Sequence, residues 1–400
     1  MVPADPVALR ASRAILAPAS NPEGKEVWDM ARLFGREMSR AELLRRVGDV
    51  SQLGGVRLVE LADGPEAGVR AIDFRTGSGL NFTVLPDRGM DISWAEYRGV
   101  PLCWHSATGQ VGPWFYEPEG FGWLRSFYGG LLVTCGLTYM GAPCEDPEAE
   151  CPVSGAPCHN TSKVFLGLHG RASNIPARNV KADGEWEGDD YVMWAEGRVR
   201  EAVVFGEVLE LRRKVEARLG ERRLLVRDVV ENAGYVKAPL MILYHINIGF
   251  PIVDEGARLV APAERVEPRD EEAERGLSEF DRFTAPIPGF KEQVFFLEMR
   301  PDSEGFVKAA LVNESLGLGV YVKYRKEQLP KFVEWKMMGE GVYVVGMEPA
   351  NSLVLGRPEA RRRGELDTLE PGERREFELE IGVLDGADEI REFEASASEA

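Results

Sequence analysis

The sequence predicts a mostly β protein, an antiparallel sandwich or barrel with a short helical segment in front of it. From about residue 56 onward, short runs alternate apolar and polar residues, which is the period of a strand with one buried face. Gly, Asp and Pro separate these runs at short intervals, as they do in turns between antiparallel strands. Long helical patterns do not occur in the middle of the sequence, so an alternating α/β fold is not expected.

The first 55 residues differ from the rest and predict a helical extension. Ser39 and Glu42 have the spacing of a capping box, in which each side chain binds the other residue's backbone amide. Apolar residues at helical spacing follow, and Gly48 is placed to end the helix. We therefore expect a helical extension over residues 1–55.

Residues 56–386 read as one large β domain. The runs 208–219 and 221–232 alternate in hydrophobicity around Gly220, which predicts a hairpin. Further strands of this domain are predicted at 56–61, 69–74, 80–85, 90–97, 305–324 (a hairpin) and 377–384.

Residues 387–400 read as a polar C-terminal tail.

The charge and composition exclude several classes of partner. Lys and Arg number 48 against 66 Asp and Glu, giving a net charge of -18. Nucleic acid or an anionic membrane would require a dense basic face, which the sequence lacks. It also has no apolar run of about 18 residues and no continuous apolar signal segment. We expect a cytoplasmic protein with a small-molecule partner.

The five cysteines do not predict a disulfide framework or a metal site. An odd number in a long chain argues against paired bridges. Cys144, Cys151 and Cys158 recur in a Pro-rich loop, but structural zinc ligands usually come in pairs about two to four residues apart. We expect reduced thiols, no metal and no cofactor, and the role of this loop stays open.

Three titratable residues lie in stretches that otherwise read as β-sheet. His245 sits in an apolar run, where an imidazole needs partners, although a core histidine bonded to a backbone carbonyl is an alternative. His169 precedes Gly170 and could bind a ligand or simply occupy a turn. Glu348 ends an apolar strand, where a carboxylate is costly unless it is hydrogen-bonded or functional. Together they form a general acid–base set.

The segments GLHGRASN, LYHINIGFP and VVGMEPAN, in this order, resemble those of galactose mutarotase and the aldose 1-epimerase family. The resemblance implies a large two-sheet antiparallel β-sandwich of the galactose mutarotase-like type. It implies that Glu348 is the general base and His245 the general acid of sugar ring opening. His169 would bind the sugar and polarise its ring oxygen. Arg171 stands where many members have a second glycine, which indicates a divergent branch.

Five further residues are candidates for binding substrate hydroxyls. Each has an alternative: a surface salt bridge for the first arginine, turn caps for the asparagines and a solvated side chain for the lysine. The candidates are Arg88, Arg171, Asn174, Asn247 and Lys336.

The sequence therefore predicts an aldose 1-epimerase-like isomerase of carbohydrate metabolism that interconverts the anomers of a monosaccharide. A non-catalytic carbohydrate-binding protein is one alternative, and another sugar isomerase or a lyase on the same fold is a second. A sheet edge or the extension could mediate a homodimer. The sugar and its anomer are not encoded in any recognisable motif.

Overall fold

The computed structural model describes residues 31–147, 164–204 and 206–398. These residues form two packed layers of antiparallel sheet. One layer is an eight-stranded sheet; the other combines a six-stranded and a five-stranded sheet. Ile92 and Leu132 exchange backbone hydrogen bonds of 3.0 Å and join these two sheets side by side. The prediction of a large antiparallel β-sandwich is confirmed.

The described part of the N-terminal extension is a small hairpin followed by a short helix. The hairpin pairs β1 (Ala31–Leu33) with β2 (Arg36–Met38), and α1 spans Arg40–Leu44. The predicted capping box is present, since the Ser39 amide donates to Glu42 Oε2 at 2.9 Å and the Glu42 amide donates to Ser39 Oγ at 3.4 Å. Residues 1–30, on which most of the predicted helical extension falls, lie outside the described residues.

The five-stranded sheet follows the chain directly, each strand pairing with the next. Its strands are β3 (Gly55–Glu60), β4 (Arg70–Arg75), β5 (Leu80–Leu85), β6 (Asp91–Tyr97) and β7 (Val100–Pro101).

The six-stranded sheet has the order β18-β19-β22-β23-β16-β8. Its strands are β8 (Val133–Cys135), β16 (Leu243–Gly249), β18 (Ala263–Pro268), β19 (Gln293–Met299), β22 (Lys331–Gly339) and β23 (Val342–Ala350).

The eight-stranded sheet has the order β11-β12-β13-β14-β25-β21-β20-β17. Its strands are β11 (Arg178–Glu187), β12 (Asp190–Ala202), β13 (Val208–Arg218), β14 (Arg223–Asn232), β17 (Arg258–Val260), β20 (Phe306–Asn313), β21 (Leu318–Arg325) and β25 (Arg374–Asp385).

Two small ribbons, three further α-helices and several short 3-10 helices complete the described elements. The ribbons pair β9 (Cys144–Asp146) with β10 (Val164–Leu166), and β15 (Ala238–Leu240) with β24 (Asp367–Leu369). The further α-helices are α2 (Glu271–Gly276), α3 (Arg357–Arg362) and α4 (Ala387–Ser398).

The predicted strands are confirmed. The strands on either side of Gly220 form a hairpin, and Gly220 has a φ of 87°, a left-handed conformation that favours glycine. Leu209 and Leu211 are fully buried on the core face of β13, as their alternation with polar residues predicts.

Residues 387–398, which fall in the predicted polar C-terminal tail, form the helix α4. Ile390 is 1% exposed and Ala397 is 2% exposed, and Phe393 packs beside them against the eight-stranded sheet. Three apolar residues at helical spacing are enough to hold a largely polar helix on the sheet. Among the described residues, no helix combines the length and the apolar composition that crossing a bilayer requires.

A buried ionic network connects the two layers. The Arg213 guanidinium, on β13, donates to both Asp228 oxygens at 2.9 and 2.6 Å and to Asp91 Oδ1 at 2.7 Å. Asp228 also accepts from the Tyr244 hydroxyl at 2.7 Å, and Asp91 accepts from Thr134 Oγ1 at 2.6 Å. The side chains of the arginine and of both aspartates are 0% exposed. The network therefore holds all three main sheets in one relative position.

Glu334, on β22, is also buried, but its carboxyl lacks hydrogen-bond partners like those of Asp91 and Asp228 in the described part of the chain. Its side chain points into the core between the layers, and neither carboxyl oxygen has a hydrogen-bond partner among the described residues. Burial raises the pKa of Glu334 well above its usual range, and the nearby Lys336 opposes this shift. Glu334 is thus a core carboxyl that favours its protonated form.

Replacing Arg213 by methionine should destabilise the protein strongly. The substitution leaves Asp91 and Asp228 buried without their counter-charge, which typically costs about 3–5 kcal/mol. Urea unfolding at pH 7 measures the loss. The control is Arg200→Met, which removes a half-exposed partner of Glu210 and should cost about 0–1 kcal/mol. Equal midpoints for the two variants would show that the buried network does not hold the layers.

Replacing Glu334 by methionine should stabilise the protein by about 1–3 kcal/mol, because it removes two buried oxygens that lack partners. The pKa of Glu334 is raised by folding, so its favourable contribution is present at low pH and is lost as pH rises above the unfolded value. The gain of the variant should therefore be larger at pH 8 than at pH 4. Calorimetric melting at both pH values tests this, and a gain independent of pH would contradict it.

Candidate active site

The register of three central strands assembles the candidate site on the six-stranded sheet. Strands β22, β23 and β16 are neighbours, and Val333 pairs with Glu348 while Trp335 pairs with Gly346. Leu243 pairs with Ala350 and Ile246 with Met347, so the same register sets His245 directly opposite Glu348. The side chains of His245 and Glu348 lie on the face of the six-stranded sheet that points away from the eight-stranded sheet. Their neighbours in the sequence, such as Ile246 and Met347, point to the other face and pack in the core.

His245 and Glu348 form a buried acid–base pair. His245 Nε2 lies 3.2 Å from Glu348 Oε1, and the two side chains are 5% and 3% exposed. The contact has the length of a hydrogen bond but not its angular geometry, because Glu348 Oε1 has no hydrogen-bond partner among the described residues. The carboxyl and the imidazole are thus close enough to exchange a proton after a small rotation.

The surroundings favour the uncharged forms of this pair. Burial raises the pKa of Glu348 well above its usual range; Glu292 adds to this shift and Arg269 opposes it. Burial lowers the pKa of His245 well below its usual range, and His169 lowers it further. Both shifts favour a protonated Glu348 carboxyl and a neutral His245 imidazole in the ligand-free site.

His169 reaches the same site from a loop between β10 and the turn at 172–174. Its backbone has a φ of 56°, and its amide donates to the Gly141 carbonyl at 2.9 Å. The imidazole centroid lies 5.8 Å from that of His245 and 4.9 Å from the Trp123 ring. Burial lowers the pKa of His169 to about 4, so the ring is neutral near pH 7.

Aromatic rings enclose the pair. Phe127 and Trp335 each lie 5.4 Å from the His245 ring, centroid to centroid. Trp104 lies 5.8 Å from Phe127 and 6.1 Å from Trp335. Such a shell keeps water from the titratable groups and offers flat apolar surfaces to a ligand.

Unpartnered polar atoms concentrate here. His169 Nδ1, His245 Nδ1, Asn247 Oδ1 and Glu348 Oε1 are all buried without a hydrogen-bond partner in the described part of the chain. Asn247 uses its amide nitrogen for the carbonyls of Gly130 and of His245, at 3.1 and 3.0 Å, so its oxygen is free to accept. Buried polar atoms are normally satisfied, so such a cluster indicates a site built to receive polar groups of a ligand.

The side chains of Arg88 and Asn174, two predicted substrate-binding residues, form hydrogen bonds with other groups of the protein. Arg88 is 2% exposed and donates to the carbonyls of Ser173, Val111 and Ser126 at 2.7, 2.5 and 2.9 Å. Asn174 Oδ1 accepts from the Ser126 hydroxyl at 3.1 Å. Both side chains thus bind groups of the protein itself, and Arg88 connects the backbone at Val111, Ser126 and Ser173.

Arg171 and Lys336 lie apart from the acid–base pair. Arg171 is exposed and lines a separate cavity of about 320 Å³ together with Tyr116. Lys336 follows Trp335 in a strand and so faces the opposite side, where its Nζ donates to the carbonyls of Glu279 and Arg282 at 2.6 and 2.7 Å. The structure thus brings together His169, His245, Asn247 and Glu348, but not these two cations.

The sequence did not reveal the residues that shape the site. Trp335 lies on β22, whereas Trp104 and Phe127 lie in loops, so the three rings meet only in the folded protein. The two-residue period gives one usable signal, since Val333 and Trp335 must share a face. Gly346 carries no such signal, yet a Cβ atom there would lie 2.5 Å from Glu348 Oε1. Glycine at this position leaves room for the carboxyl.

The cysteine-rich loop is only partly described. Cys103 and Cys135 are buried free thiols, and Cys144 is a half-buried one. Cys151 and Cys158 lie outside the described residues. Within the described ranges, no group of three or more His, Cys, Asp or Glu residues is arranged to hold a metal ion.

The model of one protein family, described as a domain of unknown function (DUF4432), matches residues 66–383. The chain belongs to this family. The match spans nearly all of the β-sandwich and includes every residue of the acid–base cluster. No curated protein matches the chain.

Solved structures similar to this DUF4432 protein are aldose 1-epimerase-like and galactose mutarotase-like proteins. A Klebsiella pneumoniae protein that carries the provisional name aldose 1-epimerase is 26% identical, with a TM-score of 0.79 over 88% of this chain and 90% of that one. A galactose mutarotase-like protein from Clostridium acetobutylicum is 15% identical, with a TM-score of 0.56 over 84% and 99%. Galactose 1-epimerase from Lactobacillus acidophilus is 14% identical, with a TM-score of 0.51 over 83% and 99%.

These similarities place the DUF4432 sandwich among the galactose mutarotase-like folds, as a divergent branch. At 14–15% identity the likeness concerns the fold alone. The predicted resemblance to the aldose 1-epimerase family is confirmed as a similarity of the whole chain and its fold. The chemistry has to be argued from the site itself.

Nuclear magnetic resonance titration should show that His169 becomes protonated only near pH 4. Its folded pKa is lowered, so the stability that the neutral ring contributes is present above the unfolded value of about 6.5 and is lost as pH falls toward 4. Nitrogen shifts of the imidazoles report each step directly. The chain unfolded in urea is the control, with histidines that titrate near 6.5. A folded His169 that titrates near 6.5 would contradict the described burial.

Proposed function

We propose that the protein is an aldose 1-epimerase-like mutarotase, which interconverts the anomers of a monosaccharide by opening and closing its ring. The observation that carries this proposal is the cluster of buried, unpartnered polar atoms on His169, His245, Asn247 and Glu348. A sugar supplies hydroxyl and ring oxygens at short, regular spacing, which can satisfy such a set. The fold of the solved structures described above is consistent with this assignment.

Ring opening requires two coordinated proton transfers. A base removes the proton of the anomeric hydroxyl while an acid protonates the ring oxygen, and ring closure from the other face reverses both roles. Glu348 and His245, 3.2 Å apart, supply one acid and one base at adjacent positions. No electrons are transferred, so the reaction itself calls for no redox cofactor.

The pair works with a single shared proton. In the ligand-free site burial keeps this proton on Glu348, but hydrogen bonds from sugar hydroxyls stabilise the carboxylate and allow the proton to move to His245. Glu348 then acts as the base and His245 as the acid. The pair has the same net charge with a protonated carboxyl and a neutral imidazole as with a carboxylate and a protonated imidazole. Both directions of the reaction therefore share one pH range.

His169 and Asn247 orient the sugar. A neutral imidazole has one N–H donor and one acceptor, and the ring of His169 stands nearly perpendicular to that of His245, at 85°. His169 can therefore donate to the ring oxygen and polarise it. Asn247 Oδ1 offers an acceptor to a hydroxyl on the other side of the pair.

Replacing Glu348 by glutamine should lower the catalysed rate of anomer exchange by about 10²–10⁴-fold, because the amide cannot accept and return the proton. Saturation-transfer NMR over a panel of aldoses measures this rate, and the same spectra report binding. Glu340→Gln is the matched control: Glu340 is exposed in the turn between β22 and β23, and its replacement should leave exchange unchanged.

The outcomes separate the rival functions. Binding without faster exchange in the wild type would indicate a carbohydrate-binding protein. A new product would indicate another sugar isomerase or a lyase. Full exchange activity in Glu348→Gln would exclude Glu348 as the proton-transfer group and overturn the mechanism.

A further inference from the structure

The loop that carries His169 is hydrogen-bonded to a neighbouring stretch of backbone, residues 136–141. The His169 amide donates to the Gly141 carbonyl at 2.9 Å, and the His169 carbonyl accepts from the Gly136 amide at 3.0 Å. The amides of residues 171–172 both donate to the Gly136 carbonyl at 2.9 Å. The backbone on both sides of the His169 ring therefore depends on where the 136–141 segment lies.

The loop and the 136–141 segment are also in direct backbone contact at Gly170. Its φ is 73°, and a Cβ atom there would clash with the carbonyl oxygens of Tyr139 and of Gly136, the latter at 2.5 Å. Glycine permits both this conformation and this close approach. Because no side chain separates the two backbones, a shift of the segment has to move the His169 loop with it.

The carboxyl group of Glu201 holds the segment from the opposite layer of the sandwich. Glu201 Oε2 accepts from the amides of Leu137 and Thr138 at 2.7 and 3.2 Å, and Glu201 Oε1 accepts from Thr138 Oγ1 at 2.6 Å. Both oxygens act as acceptors, as in an ionised carboxylate. Such charge-assisted hydrogen bonds fix the segment in direction as well as in distance.

Glu201 is an unusual residue for its place in the eight-stranded sheet. It lies near the end of β12, in the alternate set whose members Met193, Ala195 and Val199 are fully buried. Glu201 is itself only 9% exposed, and the groups that donate to it are uncharged amides and a hydroxyl. A buried carboxylate is costly, so simple packing would favour an apolar residue here. What the carboxylate adds is a directional hold on the 136–141 segment.

We propose that Glu201 is a positioning residue for His169. It fixes the 136–141 segment from the eight-stranded sheet, and the segment in turn sets the His169 ring at 85° to that of His245, with 5.8 Å between their centroids. Glu201 lines the separate cavity of Arg171 rather than the acid–base cluster, so it acts only through this backbone. The inference rests on the proposed mutarotase function and extends it to a residue of the opposite layer.

The kinetics of anomer exchange test the inference. Glu201→Ala removes all three hydrogen bonds and lets the His169 ring move, so kcat should fall about tenfold, as expected for a misplaced group. KM should change by less than about twofold, because the contact of His169 with the ring oxygen strengthens as the sugar ring opens. Glu201→Gln keeps an oxygen for the two amides and offers an N–H to the Thr138 hydroxyl, so it should restore most of kcat. Glu196→Ala is the matched control: Glu196 lies on the same strand, pairs with Lys181 at 3.2 Å on the outer face, and should affect neither constant.

A milder variant keeps the test valid if Glu201→Ala does not fold. Thr138→Val has a similar shape and removes only the hydroxyl that binds Glu201 Oε1, so kcat should fall about two- to fivefold. An unchanged kcat in the folded Glu201→Ala or in Thr138→Val would overturn the inference. So would a Glu201→Gln variant as slow as Glu201→Ala.

Titration of the His169 imidazole by NMR gives a readout that does not depend on activity. Burial lowers the pKa of His169 to about 4 in the wild type. In Glu201→Ala the loosened ring gains access to water, so its pKa should rise toward the ordinary value of about 6.5. Thr138→Val should shift it in the same direction by less, and Glu201→Gln and Glu196→Ala should leave it near 4.

The titration also separates failure of the inference from failure of the proposed function. If the wild type accelerates exchange of no sugar but the pKa of His169 rises in Glu201→Ala, the mutarotase proposal fails and the positioning role of Glu201 stands. If His169 titrates alike in the wild type, in Glu201→Ala and in Thr138→Val, the positioning role is overturned whatever the exchange rates are.

Discussion

The buried Arg213 guanidinium is the interaction on which the rest of the structure depends. It binds Asp228 on its own sheet and Asp91 on the five-stranded sheet, and through Asp228 it reaches the hydroxyl of Tyr244. Tyr244 precedes His245 in the same strand, and its side chain points to the opposite face. The strand that carries His245 is therefore fixed on its core side by charge-assisted hydrogen bonds, which are stronger and more directional than apolar contacts.

Strand pairing in the six-stranded sheet brings residues that are distant in the sequence next to one another. Residues on β16, β22 and β23 that are about a hundred positions apart become neighbours in one row because two registers agree, that of β22 with β23 and that of β16 with β23. A slip of one residue in any of them would turn Glu348 or His245 into the core. Sites built on central strands are held more precisely than sites on loops. His169 is the exception, because it lies on a loop. The contact of its ring with the Trp123 ring helps to hold it in position.

Much of this could be predicted from the sequence, for identifiable reasons. Alternation of apolar and polar residues predicted the strands, and a local motif predicted the cap at Ser39. His245 and Glu348 were found because titratable groups in apolar strands are unusual, and a family resemblance supplied their roles. What could not be predicted depends on contacts between residues that are distant in the sequence: the aromatic rings around His245 and the carbonyls that bind Arg88. Lys336 could have been rejected as a ligand, because Trp335 already faces the site and adjacent strand residues point to opposite sides. α4 was missed because its few apolar residues are diluted by charge.

The burial of the His245–Glu348 pair has a consequence for the conditions in which the protein can work. The pair is almost fully enclosed and carries no net charge in its uncharged form. Dissolved ions screen exposed charges over about 8 Å at physiological ionic strength, but they act weakly on groups that they cannot approach. The proposed proton transfers should therefore be nearly insensitive to salt. The many half-exposed ion pairs on the outer face of the eight-stranded sheet, such as Arg200 with Glu210, remain open to screening. Changes in ionic strength should thus weaken the ion pairs on the surface and leave the proposed chemistry unaffected.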